Sequence, residues 1–309
     1  MRFAYVHGCC NSSVDEDKVM EVVAKRNSDW TKYINQSLGA IAEPIDFFFE
    51  GDFESEFAFY TNTLNSFIGQ NSDEVSPFDD SFAGSFAHNI VSHAETVFLN
   101  ELIASESSLT DPFDLNTSNL NNSSLSSESG SVNKLLHNFE NALANLGVDD
   151  NFASFYIKNF VPDTNTYIKN KKARSEVDQI VMEVIKDADV IIAHSLGSIV
   201  TYNVLNHFQA LEKKPHFITI GSPLGFASIQ KILNFSAFPS SIKSWTNLII
   251  PGDIVATEIF LPISNNMSLI RNRYVKPFPN RVKDDKHAWE NYLSSKQLGV
   301  ALNEIMDSL

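Results

Sequence analysis

Short, continuous apolar runs alternate with longer stretches of helical periodicity towards both ends of the chain. A run such as 190–193 contains no polar side chain, which is typical of a strand buried on both faces of a sheet. Strands that alternate with helices in this way indicate a mostly parallel sheet with helices on both faces, so the sequence predicts an α/β fold. The predicted strands are 3–6, 45–49, 190–193, 217–220, 248–250 and 273–275, and the predicted helices are 15–38, 175–188, 199–211 and 287–308.

Residues 51–171 have a different pattern and are predicted to form a helical insertion between the second strand and the helix that precedes the strand at 190. Ser and Asn dominate 105–131, which has too few apolar groups to order itself and is predicted to be a flexible loop. We assign 1–50 and 172–309 to the α/β core. Most apolar residues of the insertion are expected to pack against the rest of the protein, and the insertion as a whole is expected to be either a lid or a docking surface. Its predicted helical faces are Phe53, Phe57 and Tyr60; Phe78, Phe82, Phe86, Ile90 and Phe98; and Leu135, Leu136, Phe139, Leu143 and Leu146.

The charge balance narrows the range of partners. The chain has 23 Lys and Arg against 38 Asp and Glu, a net charge of -15, and a field of that sign repels nucleic acid and anionic membrane surfaces. No nucleic-acid partner is expected, and the acidic surroundings oppose shallow membrane association through the face of Phe53. Cys9 and Cys10 are adjacent and do not link distant segments, which favours a reducing compartment. With no signal peptide and no apolar run of membrane-spanning length, a cytoplasmic protein is predicted.

The stretch from Val190 to Ser198 carries the clearest chemical signal. It is predicted to be a buried strand, a sharp turn centred on Ser195 and the start of a helix. In the pattern small-x-Ser-x-Gly, the small residues let the chain fold back steeply and lift the serine hydroxyl off the strand end. Ala193 stands in place of the usual first glycine. An ordinary turn between a strand and a helix has the same pattern, but the flanking elements favour a nucleophile.

With these residues the chain resembles the α/β-hydrolases of the lipase and esterase type. The resemblance covers 1–50 and about 175–309 and rests on Val6-His7-Gly8-Cys9, Ala193-His194-Ser195-Leu196-Gly197, Gly221-Ser222-Pro223, 247–253 and His287. It implies an α/β-hydrolase fold in which a strand ending in His-Gly lies beside the nucleophile. Carried over by position, the backbone amides of Cys9 and Leu196 form an oxyanion hole, and the supporting turns contain His7, Gly8, His194 and Gly197. The chemistry also requires such donors, because a serine that attacks a carbonyl places negative charge on its oxygen.

A nucleophilic serine needs a base, and the base needs an acid to orient it. Asp253 follows the predicted strand 248–250, where the chain order Ser, Asp, His places the acid. Pro-Gly-Asp is also ordinary turn chemistry, so a solvated turn aspartate is the alternative. His287 is the only histidine after Asp253, and its alternative is a solvated residue at a helix start. The predicted catalytic residues are therefore Ser195, Asp253 and His287.

These residues predict a serine hydrolase that cleaves a carboxylic ester through an acyl-enzyme. The phenylalanines of the insertion favour an apolar acyl group, as in lipases, phospholipases and carboxylesterases, while amide and thioester cleavage stay open because they share the same chemistry. The alternatives are a non-catalytic binding module of the same fold and a lipid hydrolase activated by a partner. His88 and His93 are five residues apart rather than four, so no metal is expected, and no cofactor. The expected partners are a small ester or lipid substrate and, through the insertion, a protein.

Overall fold

A parallel sheet, to which the described residues contribute six strands, forms the centre of the fold. The computed structural model describes residues 1–9, 13–40, 53–68, 160, 163–207, 211, 213–235, 237–261, 269–276, 282 and 285–308. The strands are β1 (Arg2–Val6), β2 (Glu54–Ala58), β3 (Val190–His194), β4 (His216–Ile220), β5 (Ser244–Ile249) and β6 (Ile270–Tyr274), in the spatial order β2-β1-β3-β4-β5-β6. The helices are α1 (Val19–Gly39, after a 3-10 turn at Glu16–Lys18), α2 (Thr61–Phe67), α3 (Lys171–Ile185), α4 (Leu196–His207), α5 (Ala227–Ile232), α6 (Trp289–Leu293) and α7 (Lys296–Met306).

Successive residues of the central strands enter opposite faces of the sheet. In β1, Ala4 and Val6 belong to a core that contains apolar side chains of α2, α3, α4 and α5. Phe3 and Tyr5 belong to a second core, which contains side chains of α1, α6 and α7. Helices therefore cover both faces, and for this reason β3 and β4 are buried along their whole length. The predicted α/β class with a parallel sheet is confirmed.

The segment from Phe53 to Tyr60 corrects the sequence analysis, which predicts a helical face there. Residues 54–58 form β2, which pairs in parallel with β1, and α2 follows. A spacing of four residues is even, so it fits the two-residue period of a strand as well as a turn of helix. The first part of β2, at the sheet edge, is polar and partly exposed, which conceals the strand pattern. This strand lies within the range 51–171 assigned to the insertion, and the predicted strand 45–49 lies outside the described residues.

The closing stretch 287–308 is predicted as one helix, but it contains two. The break between α6 and α7 lies at Ser294 and Ser295. Ser295 has an extended backbone, and its hydroxyl accepts a hydrogen bond from the Leu298 amide at 3.2 Å, which caps α7. Both helices bury an apolar face, so the helical spacing of apolar residues continues across the break. The pattern therefore does not reveal that Ser295 ends one helix and caps the next.

Most of the predicted insertion lies outside the described residues, including the loop 105–131, the face from Phe78 to Phe98 and the helix that begins at 132. In the described part, residues 163–169 are helical and lead to Asn170, whose side chain caps α3. Among the described helices, none is both long enough and apolar enough to cross a bilayer.

Candidate active site

Several turns meet at one edge of the sheet. Because the strands are parallel, their carboxyl ends lie at the same edge, which is where open α/β sheets form their binding sites. The turns that follow β1, β3, β4 and β5 contain Gly8, Ser195, Gly221 and Asp253, respectively. The loop that contains His287 reaches the same edge, just before α6.

Ser195 occupies the sharp turn between β3 and α4. Its φ is 52°, in the left-handed region that side chains disfavour. The turn is held on both sides, because the Ser195 amide donates to the Ile220 carbonyl at 3.1 Å and the Ser195 carbonyl accepts from the Ser198 hydroxyl at 2.6 Å. Ser195 is almost completely buried, and in the part of the chain that the structure describes its hydroxyl has no hydrogen-bond partner. A strained strand-to-helix turn is the setting in which a serine serves as a nucleophile.

Two glycines let the turn after β1 approach this serine. A Cβ added to Gly8 would lie 2.7 Å from the Ser195 Cβ. A Cβ added to Gly197 would collide with the backbone oxygens of Val6 and His7. The two turns therefore pack backbone against backbone, more closely than any side chain allows, and this contact explains the glycine in each.

The residues predicted to supply an oxyanion hole lie in these two turns. Leu196 is the first residue of α4 and is buried. Amides in the first turn of a helix have no acceptor within the helix, and their partial positive charge favours an anion. Cys9 follows Gly8, whose backbone contacts Ser195. Cys9 is disulfide-bonded through its sulfur, which does not agree with the reducing compartment that the sequence favours. The role predicted for Cys9 uses the backbone amide.

Asp253 and His287, 34 positions apart in the chain, meet in a buried pair with 2.8 Å between Oδ2 and Nδ1. The other carboxylate oxygen, Oδ1, accepts from the Val255 amide at 2.9 Å and the Ala256 amide at 3.3 Å. Tyr292 donates its hydroxyl to Oδ2 at 2.5 Å. Donors to both oxygens compensate the buried charge. The fold thus brings together the residues predicted as acid and base.

Burial and pairing shift the pKa values of Asp253 and His287 in opposite directions. Burial by itself raises the pKa of Asp253, but the charge of His287 and the surrounding donors bring that pKa below its usual value. Burial by itself lowers the pKa of His287, but the charges of Asp253 and Asp285 bring that pKa above its usual value. Each partner therefore stabilises the charged form of the other, and the imidazole becomes a stronger base.

Gly221, directly after β4, lies against the imidazole. Its φ is 56°, which glycine adopts without strain. An added Cβ would lie 3.0 Å from Cε1 of His287 and 3.3 Å from Oδ2 of Asp253. Glycine is required here both for the backbone conformation and for the close approach of the pair.

His194 connects the turn of Ser195 to the loop of His287. Its Nε2 donates to the His287 carbonyl at 2.9 Å; Nε2 carries the proton because a carbonyl oxygen only accepts. The two imidazole rings have centroids 4.6 Å apart. Burial, reinforced by the charge of His287, lowers the pKa of His194 to about 3. This ring is therefore neutral and structural at physiological pH.

His7 belongs to an aromatic cluster at the end of β1. Its ring stacks on Phe57 and Tyr60, with centroids 5.5 Å and 4.2 Å away. Its Nδ1 donates to the Gly8 carbonyl at 2.5 Å, and its own carbonyl accepts from the Tyr60 hydroxyl at 2.6 Å. Burial lowers the pKa of His7 to about 4. These contacts make His7 a neutral support for the turn that contains Gly8.

A buried polar network, missed by the sequence analysis, ties the turns together. The hydroxyls of Ser198 and Ser222 lie 2.7 Å apart, and the Ser222 carbonyl accepts from the amide and hydroxyl of Thr257 at 2.9 Å and 3.0 Å. The Thr257 carbonyl accepts from Asn247 Nδ2 at 2.9 Å, and the same amide donates to Asn272 at 2.8 Å. The network runs from α4 to the edge strand β6. Its signal in the sequence is weak, because Asn247 lies in a strand that also contains Ser244 and Thr246.

The three predicted catalytic residues are not all connected. Asp253 and His287 are in contact, and Ser195 lies on the adjoining turn, held to β4 directly before Gly221. Within the described part of the chain, no hydrogen bond joins the Ser195 hydroxyl to His287.

The described residues include no group of three or more His, Cys, Asp or Glu side chains that could hold a metal ion; His88 and His93 lie outside them. Comparisons of the chain with protein-family models, curated proteins and solved structures found no match.

Proposed function

We propose that the chain is a serine hydrolase of the α/β-hydrolase type that cleaves a carboxylic ester. The observation that carries the proposal is the buried 2.8 Å pair of Asp253 and His287 at the sheet edge where Ser195 occupies a strained turn. The chain order Ser, Asp, His is the order in which that fold supplies its triad. Ionisable groups with perturbed pKa values, held in such a setting, are concentrated at functional sites.

In the proposed reaction the Ser195 Oγ attacks the ester carbonyl carbon while its proton passes to Nε2 of His287. The carbonyl oxygen takes the negative charge, which the amides of Cys9 and Leu196 stabilise. Collapse of the tetrahedral intermediate breaks the bond to the alkoxy group, which leaves as the alcohol with the proton from His287. Water then attacks the acyl-enzyme by the same route and releases the acid. Asp253 keeps Nδ1 protonated throughout, so that Nε2 acts as the base.

This reaction requires the Ser195 hydroxyl to come within hydrogen-bond distance of His287. A serine side chain has one rotatable bond to its oxygen, and catalytic hydrogen bonds frequently tighten only when substrate is bound. Ser195 is 1% exposed and His287 7% exposed. A site that excludes water to this degree strengthens the electrostatic interactions that stabilise the oxyanion.

An ester with an apolar acyl group is the substrate class we favour. The turn beside Ser195 is packed with aromatic rings, since His7 is surrounded by Phe57, Phe59 and Tyr60. The near-complete burial of Ser195 also favours a second candidate, a lipid hydrolase that opens on contact with a partner or a lipid aggregate. Activity towards p-nitrophenyl esters of increasing chain length, measured below and above the concentration at which they aggregate, separates the two.

The first test is labelling of the purified protein by a fluorophosphonate probe, read by intact mass. We expect a single adduct that is lost in Ser195→Ala. In His287→Ala the labelling rate is expected to fall by roughly a hundredfold or more, because a general base contributes that much to such a reaction. The matched control is Ser37→Ala, which removes a buried hydroxyl in α1 that donates to the Ile34 carbonyl at 2.8 Å. This variant is expected to label like the wild type.

Two results would contradict the proposal. If Ser195→Ala hydrolyses p-nitrophenyl esters as fast as the wild type, Ser195 is not the nucleophile. If folded wild-type protein forms no adduct even in the presence of detergent micelles, the chain on its own is not an active serine hydrolase, and the binding module and the partner-activated hydrolase are the hypotheses that remain.

A further inference from the structure

Tyr292 has no role in the reaction described above, although it contacts the Asp253–His287 pair directly. It lies in α6 and is completely buried. Its hydroxyl lies 2.5 Å from Oδ2 of Asp253 and accepts a hydrogen bond from the Ile250 amide at 3.2 Å. An amide N–H only donates, so the phenol proton points to the carboxylate. The Ile250 amide thus fixes the direction in which Tyr292 donates.

The carboxylate oxygen that Tyr292 contacts is the one that also accepts from His287. Oδ2 receives both the imidazole Nδ1, at 2.8 Å, and the phenol. Donors that share one oxygen also share its charge, so a strong second donor weakens the attraction of that oxygen for the first. The backbone amides of Val255 and Ala256 occupy Oδ1, so rotation of the carboxylate does not relieve the sharing.

We propose that Tyr292 is a positioning residue, which locks the Asp253 carboxylate in place and limits how strongly that carboxylate retains a proton on His287. The catalytic meaning of this inference rests on the proposed function. A base that holds its proton too strongly is blocked over the lower part of the pH range, and the phenol extends the range in which the imidazole is neutral and competent. Removal of the phenol hydroxyl leaves the full charge of Oδ2 to the imidazole.

Other titratable groups face His287, and Tyr292→Phe leaves their contacts in place because it keeps the ring, which packs against His194 with centroids 6.4 Å apart. Asp285 accepts a hydrogen bond from the His287 backbone amide at 2.9 Å, and its charge also favours the protonated imidazole. His194, from the end of β3, packs against the His287 ring and is neutral. A change of titration caused by loss of the hydroxyl at position 292 is therefore assigned to Asp253, which accepts the hydrogen bond from that hydroxyl.

The test is the titration of the His287 Nδ1 proton, followed by its low-field proton NMR signal in the intact protein. In Tyr292→Phe the midpoint is expected to rise by roughly one pH unit, because the carboxylate charge is no longer shared with the phenol and stabilises the protonated imidazole more strongly. The acid limb of the kcat/KM profile is expected to move in the same direction. The matched control is Tyr167→Phe, which removes a buried phenol that donates to Asp178 at 2.6 Å, and its midpoint is expected to equal that of the wild type.

A second variant reverses the sign and creates no cavity. Incorporation of 3-fluorotyrosine at position 292 makes the phenol a stronger donor, and the midpoint is expected to fall below that of the wild type. An unchanged midpoint in Tyr292→Phe overturns the proposal. If that variant does not fold, an unchanged midpoint in the fluorotyrosine protein overturns it. A shift in protein that forms no fluorophosphonate adduct supports the role of Tyr292 while the proposed function fails. An active enzyme without the shift supports the proposed function and overturns the role of Tyr292.

Discussion

Carboxylate neighbours decide which of the three buried histidines around the candidate active site can act as a base. Burial lowers the pKa of His7 to about 4 and that of His194 to about 3. His287 is buried to a similar extent, but the charges of Asp253 and Asp285 raise its pKa. Burial therefore leaves two of the rings neutral, and these rings support the turns. The third ring, beside the carboxylates, can take up a proton.

Gly221 is the residue whose replacement tests this arrangement most directly. Gly221→Ala places a methyl group 3.0 Å from the imidazole at a φ of 56°, so we expect a free energy of unfolding lower by about 1–3 kcal/mol. We also expect fluorophosphonate labelling to be at least tenfold slower, because the methyl group displaces the Asp253–His287 pair. Urea unfolding and the labelling rate measure the two effects.

Gly39→Ala is the control for this variant. Gly39 ends α1, and an added Cβ meets no atom within 4 Å. This variant is expected to be as stable as the wild type or more stable by up to about 1 kcal/mol, with unchanged labelling. A Gly221→Ala protein that resembles it in both measurements would show that the pair tolerates the methyl group.

Some residues of the site can be proposed from the chain alone and others cannot. Ser195, Asp253 and His287 carry local patterns, namely a turn with small residues, an acid after a strand and a histidine after both. Tyr292 carries none, because its role depends on which side of a five-residue helix faces Asp253. Packing of α6 against the sheet decides that orientation, and no spacing in the sequence records it.

The strands that the sequence predicts most closely are those with uniform burial. The strands β3 and β4 are buried at every position, so their apolar runs are unbroken. Only the last two residues of the edge strand β2 are buried, and its pattern is indistinguishable from that of a helix. Helix α5 is six residues long and has too few turns to establish a period. The edge of the sheet and its short connections are thus the parts that need tertiary information.

The break between α6 and α7 allows a separate test of local stability. Ser295→Ala removes the acceptor of the 3.2 Å bond from the Leu298 amide. The expected loss in free energy of unfolding is about 1 kcal/mol, the usual contribution of a serine cap. Ser66→Ala serves as the control, because the exposed Ser66 hydroxyl only donates to the Thr63 carbonyl within α2. If both variants unfold at the same urea concentration, the cap does not hold α7.

Two clusters of buried polar side chains differ in their surroundings. The network from Ser198 to Asn272 joins the turns at the candidate active site. A second cluster lies between α3 and α4, where Asp178 accepts from the Tyr167 hydroxyl at 2.6 Å and from Asn203 Nδ2 at 2.9 Å. Its two donors are neutral, in contrast to the imidazole beside Asp253, so the two buried carboxylates respond to pH in opposite directions.

The carboxyl of Asp178 is expected to reduce stability as the pH rises. Burial raises its pKa from 3.8 to about 6, although the donors and nearby cations oppose the shift. Below the unfolded value both states hold the proton. Between the two values the unfolded chain releases the proton while the folded chain keeps it, so the free energy of unfolding falls as pH rises. Above the folded value the loss is complete, and for this shift it amounts to about 3 kcal/mol.

Asp178→Asn removes this dependence, because an amide does not ionise and still accepts from Tyr167 if the Asn203 amide turns over. The stability of the variant relative to wild type, measured by urea unfolding, is therefore expected to increase by up to about 3 kcal/mol between pH 4 and pH 7. Asp15→Asn, at an exposed position in the surface ion pair with Lys18, is expected to show no such increase. A constant difference for Asp178→Asn across the range would mean that the buried carboxyl is ionised in the folded protein at pH 4. The charge would then be stabilised by its two neutral donors together with the nearby cations, and the interior between α3 and α4 would be far more polar than its packing indicates.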